Sequence, residues 1–114
     1  MISNADLTVY HKVKDDATRM EKWIRFPYRN IWWFENSSVV QADGYKNSNN
    51  VEIRISYREE LDIKNFSKGD IVLKGIIKKD IKSSSELSEY ETYVITSIKN
   101  NNFGKNPHIH IQGH

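Results

Sequence analysis

Val51-Glu52-Ile53-Arg54-Ile55-Ser56-Tyr57-Arg58 alternates strictly, with Val51, Ile53, Ile55 and Tyr57 on one face and Glu52, Arg54, Ser56 and Arg58 on the other. A side-chain period of two belongs to an extended strand with one face on a core and the other toward water. Toward the N-terminus, the turn signal Asp43-Gly44 and the polar residues to Asn50 read as a mobile loop. Before it, a strand runs from about Asn30 to Glu35 and continues, past Asn36-Ser37-Ser38, through Val39-Val40. Trp23, Arg25 and Pro27 suggest another strand that ends or kinks at the proline, which has no N–H to give to a ladder. Near the start, Leu7, Val9, His11 and Val13 share one face while Thr8, Tyr10, Lys12 and Lys14 share the other, the pattern of a half-buried strand.

Toward the C-terminus, Lys68-Gly69-Asp70 turns the chain into Ile71–Ile77, a longer and more buried strand in which Gly75 marks a bulge or bend. Ser83-Ser84-Ser85 ahead of Glu86 can cap one or two helical turns. Tyr93 to Ile98 alternates again, Asn100 to Gly104 is a turn, and His108 to Gln112 closes the chain. The expected fold is mostly β: a small closed β-barrel or sandwich of about seven short strands, with long polar loops and at most one short helix. One domain spans residues 1–114. The expected core holds Leu7, Val9, Val51, Ile53, Ile55, Ile71, Leu73, Val94 and one of Trp32 or Trp33.

The composition removes several classes of chemistry. With no cysteine there is no disulfide, thiolate metal site or thiol nucleophile, and an intracellular setting is expected. Met1 to Tyr10 lacks the basic start and apolar run of a signal peptide. Ile31-Trp32-Trp33-Phe34, the longest near-apolar stretch, is too short to span a bilayer, so no membrane role is expected. Seventeen basic against fifteen acidic side chains leave a formal charge of only +2, less than a dedicated nucleic-acid binder usually carries.

Three clusters could carry function. His108 and His110, two apart on one strand face with His114 following, could ligate zinc if a third ligand arrived from elsewhere. The simpler reading puts them on the outer face of a terminal strand, opposite Ile109 and Ile111. Trp23, Arg25, Tyr28, Arg29, Trp32 and Trp33 interleave aromatic and basic side chains as a base-stacking platform would. Because Trp32 and Trp33 must face opposite sides of a strand, one belongs to the core and the other to an interface or the underside of a loop. Lys74, Lys78, Lys79 and Lys82 could meet phosphate or simply protect a strand end, with Lys74 and Lys78 on one face if the strand is regular. The carboxylates form no spaced acid–base pair, the serines lack a nucleophile elbow, and the Gly44 and Gly69 turns lack phosphate-loop spacing. No enzyme and no cofactor is expected.

The order of motifs carries more than any one of them. Asn4-Ala5-Asp6-Leu7-Thr8-Val9-Tyr10-His11, Thr18-Arg19 and Trp32-Trp33 are followed by Val51-x-Ile53-x-Ile55 and Lys68-Gly69-Asp70-Ile71-Val72-Leu73-Lys74-Gly75. Thr96-Ser97-Ile98, a Gly104 turn, Pro107-His108 and Gly113 complete the series. Over almost its whole length the chain resembles an uncharacterised family of small head–tail joining (neck) proteins of siphophages and prophages of Gram-positive hosts. It departs from that family where His108-Ile109-His110 replaces a histidine–tryptophan pair.

The resemblance implies a structural connector made in the bacterial cytoplasm and built into the virion neck, either a head-closure (stopper) ring or an adaptor ring. The implied partners are copies of itself in a ring, a hexamer by similarity, with an adaptor or portal ring on one side and a tail terminator or tail tube on the other. DNA would pass through the channel without sequence recognition. The segment implied to face the channel or an adjoining ring is Asp43, Gly44, Tyr45, Lys46, Asn47, Ser48, Asn49 and Asn50; Ile81–Glu91 is the other polar loop. Two other classes stay open: a nucleic-acid-binding module of the oligonucleotide-binding kind, and a small metalloenzyme.

Overall fold

The computed structural model of the chain describes residues 3–14, 21–41, 45–59, 61–101 and 107–114. Six strands lie within them: β1 (Ala5–Lys14), β2 (Glu21–Gln41), β3 (Tyr45–Ser56), β4 (Ile71–Lys74), β5 (Tyr93–Asn101) and β6 (His108–Gly113). All neighbouring pairs are antiparallel, in the order β1-β2-β3-β6-β5-β4, and β4 returns to β1 so that the sheet closes on itself. The protein is mostly β, as its alternation predicts. The two strands expected around Pro27 are one. Pro27 sits opposite Thr8 in the ladder, where β1 is the partner of β2 and β3 has not yet begun to pair. A strand with one neighbour there tolerates a residue that lacks an N–H. The bend comes three residues later, at Asn30, whose φ of +58° is left-handed. Arg58 holds it by donating to the carbonyls of Arg29 and Asn30, while the Asn30 N–H donates to Asp6 Oδ1 at 3.1 Å. From Trp32 onward β2 has β3 as its partner.

Inside the ring, Leu7, Val9, Ile31, Trp33, Val51, Ile53, Ile55, Val72, Ile95, Ile109 and Ile111 form one buried cluster. Tyr28 stacks on Phe66 at 5.4 Å, and Trp33 meets Tyr93 edge-on at 5.8 Å. Asn4 fixes Trp33 by its backbone: Asn4 Oδ1 accepts from the Trp33 N–H at 2.8 Å and Asn4 Nδ2 donates to the Trp33 carbonyl at 3.0 Å. Every expected core position is buried except Val94, which is 43 % exposed. Tyr93-Val94-Ile95 is apolar at three successive positions, and Tyr93 and Ile95 take the inward ones.

A second buried cluster explains why β1 is not half-buried as its pattern suggested. Tyr10, Ile71 and Leu73 point out of the ring and are covered by Ile81 and Leu87 from the segment between β4 and β5. β4 stops at Lys74 instead of continuing to Ile77, because the chain leaves the sheet at Gly75, with φ +94°. The departing backbone is held by Thr8, whose buried hydroxyl donates to the Gly75 carbonyl at 2.7 Å and accepts the Ile77 N–H at 2.9 Å. The Tyr10 hydroxyl donates to the Lys79 carbonyl at 2.5 Å. The serine cap expected before Glu86 is present as a capping box, in which Ser83 Oγ and the Glu86 carboxylate each accept backbone N–H groups around a short 3₁₀ turn, Ser84–Leu87. Ile81–Glu91 is therefore a fastened cover over the β1–β4 wall.

Candidate functional site

Among the described residues, the β2–β3–β6–β5 wall has no such cover. Register places side chains in rows across it, because residues opposite one another in a ladder share a face. One row runs Trp32, Arg54, His110, Lys99. The next runs Phe34, Glu52, Gln112, Ser97. Trp32 is stacked on Phe34 at 5.7 Å with 10° between the rings, and the Arg54 guanidinium lies 4.7 Å from the Trp32 centroid. Phe34, at 49 % exposed, forms the side of a shallow groove of about 290 Å³ whose other walls are Asn50, Glu52, Thr96 and Gln112. Gln112 Nε2 reaches Glu52 Oε1 at 3.4 Å.

Among the described residues, two buried nitrogens in the first row have no hydrogen-bond partner, Arg54 Nε and His110 Nε2. Burial holds His110 below the ordinary histidine range, and neighbouring Arg54, His108 and Lys99 push the same way against Glu52. Neutral imidazole is thereby favoured at pH 7.

The proposed contact residues occupy different places. Asp43 and Gly44 lie outside the described residues, but Tyr45–Asn50 is not loop. It pairs residue by residue with Asn36–Gln41, continuing the Glu35–Val51 register into a two-stranded arm. Polar composition had suggested a loop there; the register inherited from the ring makes it a ribbon. Pairing of β3 with β6 starts only at Val51 and that of β2 with β1 ends at Ile31, so among the described residues neither arm strand has a second neighbour.

The four lysines do not form one face. Lys74 ends β4 and lines a cavity of about 170 Å³ with Trp33, Glu35, Tyr90 and Tyr93, while Lys78 and Lys79 lie on the stretch leading to the cover and Lys82 rides on it. Lys79 Nζ donates to the Glu86 carbonyl at 3.0 Å and faces Glu89 at 3.7 Å. The Lys82 and Ser83 N–H groups are bound by the Glu86 carboxylate, and those hydrogen bonds hold its pKa below the usual carboxylate range.

The interleaved aromatic and basic residues also separate. Tyr28 and Trp33 are core, Trp23 lies against the second cluster with Lys12 over its ring, Arg25 pairs with Asp80 at 3.1 Å, and Arg29 faces Asp6. Only Trp32 reaches the bare wall. His108 and His110 are half-buried on the outer face, opposite fully buried Ile109 and Ile111. His114 Nδ1 is 2.9 Å from Asn50 Oδ1. Among the described residues no three histidine or acidic side chains come together to hold a metal ion.

Phe34, Arg54 and Lys99 escaped the sequence reading. Their adjacency needs the register of four strands, which alternation alone does not provide. No curated protein and no solved structure matches the chain. The model of a family of unknown function, DUF6751, matches residues 2–114, and the chain belongs to that family.

Proposed function

We propose that this chain is a structural subunit of a phage head–tail connector, a stopper or adaptor that forms a ring with its own copies between portal and tail. The observation that carries the reading is the arm. A closed sheet leaves few strand edges for partners, yet here a ribbon of six residue pairs, roughly 20 Å long at about 3.3 Å per residue, leaves the ring with neither edge paired among the described residues. An isolated two-stranded ribbon is marginal in water, so it is suited to finding a third strand or a flat surface on a neighbour. In a cyclic assembly each copy offers one patch and receives a different one, which an arm reaching out of a compact domain satisfies. The arm's serines, asparagines and single lysine suit a segment beside a hydrated DNA channel. In this reading the chain is no enzyme, takes no cofactor and works in the virion neck.

Electron cryomicroscopy of tailed particles carrying the chain tests this. A closed ring of copies at the head–tail joint, each arm touching a neighbour or the lumen, is the expected density. Particles whose neck lacks the chain would end the connector reading. Strong salt-dependent binding of nucleic acid by the free monomer, with no assembly, would favour the nucleic-acid module instead.

A further inference from the structure

The bare wall has a chemistry that the ring reading leaves unused. Phe34 presents a half-exposed ring already backed by Trp32, so a planar group stacking on it meets an aromatic surface at little ordering cost. Beside it, Arg54 Nε and His110 Nε2 are buried with no hydrogen-bond partner among the described residues. Native proteins seldom leave such groups unmatched, and both residues stand in the outward-facing row, so a ligand that settles there and shifts the side chains can supply the acceptor that Arg54 lacks. Exposed Lys99 extends the same row, so the missing acceptor is best supplied by an anion. Gln112 and Glu52 in the parallel row offer amide and carboxylate groups to the edge of whatever stacks on Phe34. A planar heterocycle with hydrogen-bonding edges, linked to an oxyanion, fits both rows; repeated along a chain, it is a nucleic acid strand with unpaired bases. The opposite wall is sealed by Ile81 and Leu87.

We propose that the outer face of β2, β3, β6 and β5 binds single-stranded nucleic acid, with a base stacked on Phe34 and phosphate held by Arg54, His110 and Lys99. The proposal goes beyond the connector reading and stands or falls separately from it, because it concerns the free protein and an open strand. Single-strand binding on such platforms is sequence-tolerant and salt-dependent. It also gains from acid here. His110 is faced by Glu52 and Arg54 on β3, Lys99 on β5 and His108 on its own strand; burial keeps it neutral at pH 7, and protonation turns its free nitrogen into a charged donor.

Fluorescence polarisation of a labelled twelve-residue oligothymidylate against the full chain, at low salt, provides the test. Binding is expected to weaken steeply with added salt and to tighten as pH falls below the ordinary histidine range, where a depressed histidine charges. Phe34→Ala and Arg54→Gln should each weaken it about tenfold, in keeping with the loss of one stacked base or one charged contact. Lys99→Gln, at an exposed position, should reduce the salt dependence. Tyr57→Ala, an exposed aromatic beyond the last β3–β6 pair, should change nothing. An oligomer with abasic sugars should bind as weakly to the native chain as oligothymidylate binds to Phe34→Ala. No binding at low salt overturns the proposal, as does binding indifferent to both Phe34→Ala and Arg54→Gln. Self-association dispersed by Phe34→Ala in a chain that ignores the oligonucleotide overturns it too, and assigns the face to a second copy.

Discussion

His11 Nδ1 lies 2.6 Å from the buried carboxylate of Asp70, so the middle of β1 is tied to the residue that precedes β4. The same carboxylate accepts the Lys12 N–H at 3.0 Å and the Ser67 N–H at 2.8 Å. One side chain thus gathers a strand, a turn and a ring nitrogen.

Asp70→Ala leaves those three donors without their acceptor at a largely buried position. Stability should fall by about 3–5 kcal/mol, the range for breaking a buried charged network by removing one partner. Chemical denaturation of the variant measures it, and a loss under about 1 kcal/mol would mean that water replaces the carboxylate.

Tyrosine titration reports on the two cores. Tyr93 is pushed up to about 12, first by burial, then by its hydrogen bond to Glu91 and the nearby Glu35 and Glu91 charges; Tyr10 is raised as well, chiefly by burial. The folded state therefore keeps the Tyr93 proton where the unfolded chain, with an ordinary value near 10, has begun to lose it. Stability should be fully present below pH 10 and decline as pH rises toward 12. Tyr93→Phe should flatten that decline, read from denaturation midpoints at successive pH values.

Leu87→Ala removes a fully buried side chain from the cover. The local loss is about 2–5 kcal/mol, and it falls on a segment fastened to the ring by few elements. Amide exchange should speed up first at Ile77–Tyr90, while β3 and β6 keep their protection. Uniform acceleration would show that cover and ring unfold as one unit.

Two glycines should fail for different reasons. A Cβ on Gly113 would sit 2.9 Å from Val51 Cγ1 and 3.2 Å from the Val94 carbonyl, so Gly113→Ala must part β6 from its neighbours, a misfit of about 1–3 kcal/mol. At Gly75 a Cβ meets nothing within 4 Å, but φ is +94°, so Gly75→Ala is disfavoured by backbone strain of about 1–3 kcal/mol. A Val51→Ala partner change should relieve the first variant and leave the second untouched, as melting temperatures would show.

Replacing Ser37–Asn49 with a two-residue turn should leave the ring folded, since loop closure entropy changes slowly with length and every core residue named above is retained. Unchanged thermal unfolding is expected. In a virion carrying the shortened chain, filled heads that leak DNA would support the channel role of the arm, and tight, infectious particles would remove it.

How much of this was legible depends on the range over which each signal acts. Val51, Ile53 and Ile55 announce an inward face by themselves, and all three are buried. Ser83 and Glu86 announce a cap four residues long. Thr8 and Tyr10 look like the wet side of β1 because what dries them, Gly75 to Leu87, comes more than sixty residues later. Tyr45–Asn50 is polar enough to pass for a loop, and its strand conformation is inherited from the pairing of Phe34 with Glu52 and Glu35 with Val51. Arg54 and His110 are unremarkable in sequence, and only the β3–β6 register sets them side by side.

Closure of the ring through β1 and β4, together with the pairing of β3 and β6, sets the tempo of folding. Leu7–Tyr10 must find Ile71–Lys74, residues sixty or more apart along the chain, whereas β2 with β3 and β5 with β6 join near neighbours. Chains dominated by such distant pairings fold in roughly milliseconds to seconds. Until β1 meets β4, both expose bare edges to other molecules. The hazard of aggregation is thus concentrated in the newborn chain, and the finished ring retires it everywhere among the described strands except along the arm, where an open edge persists.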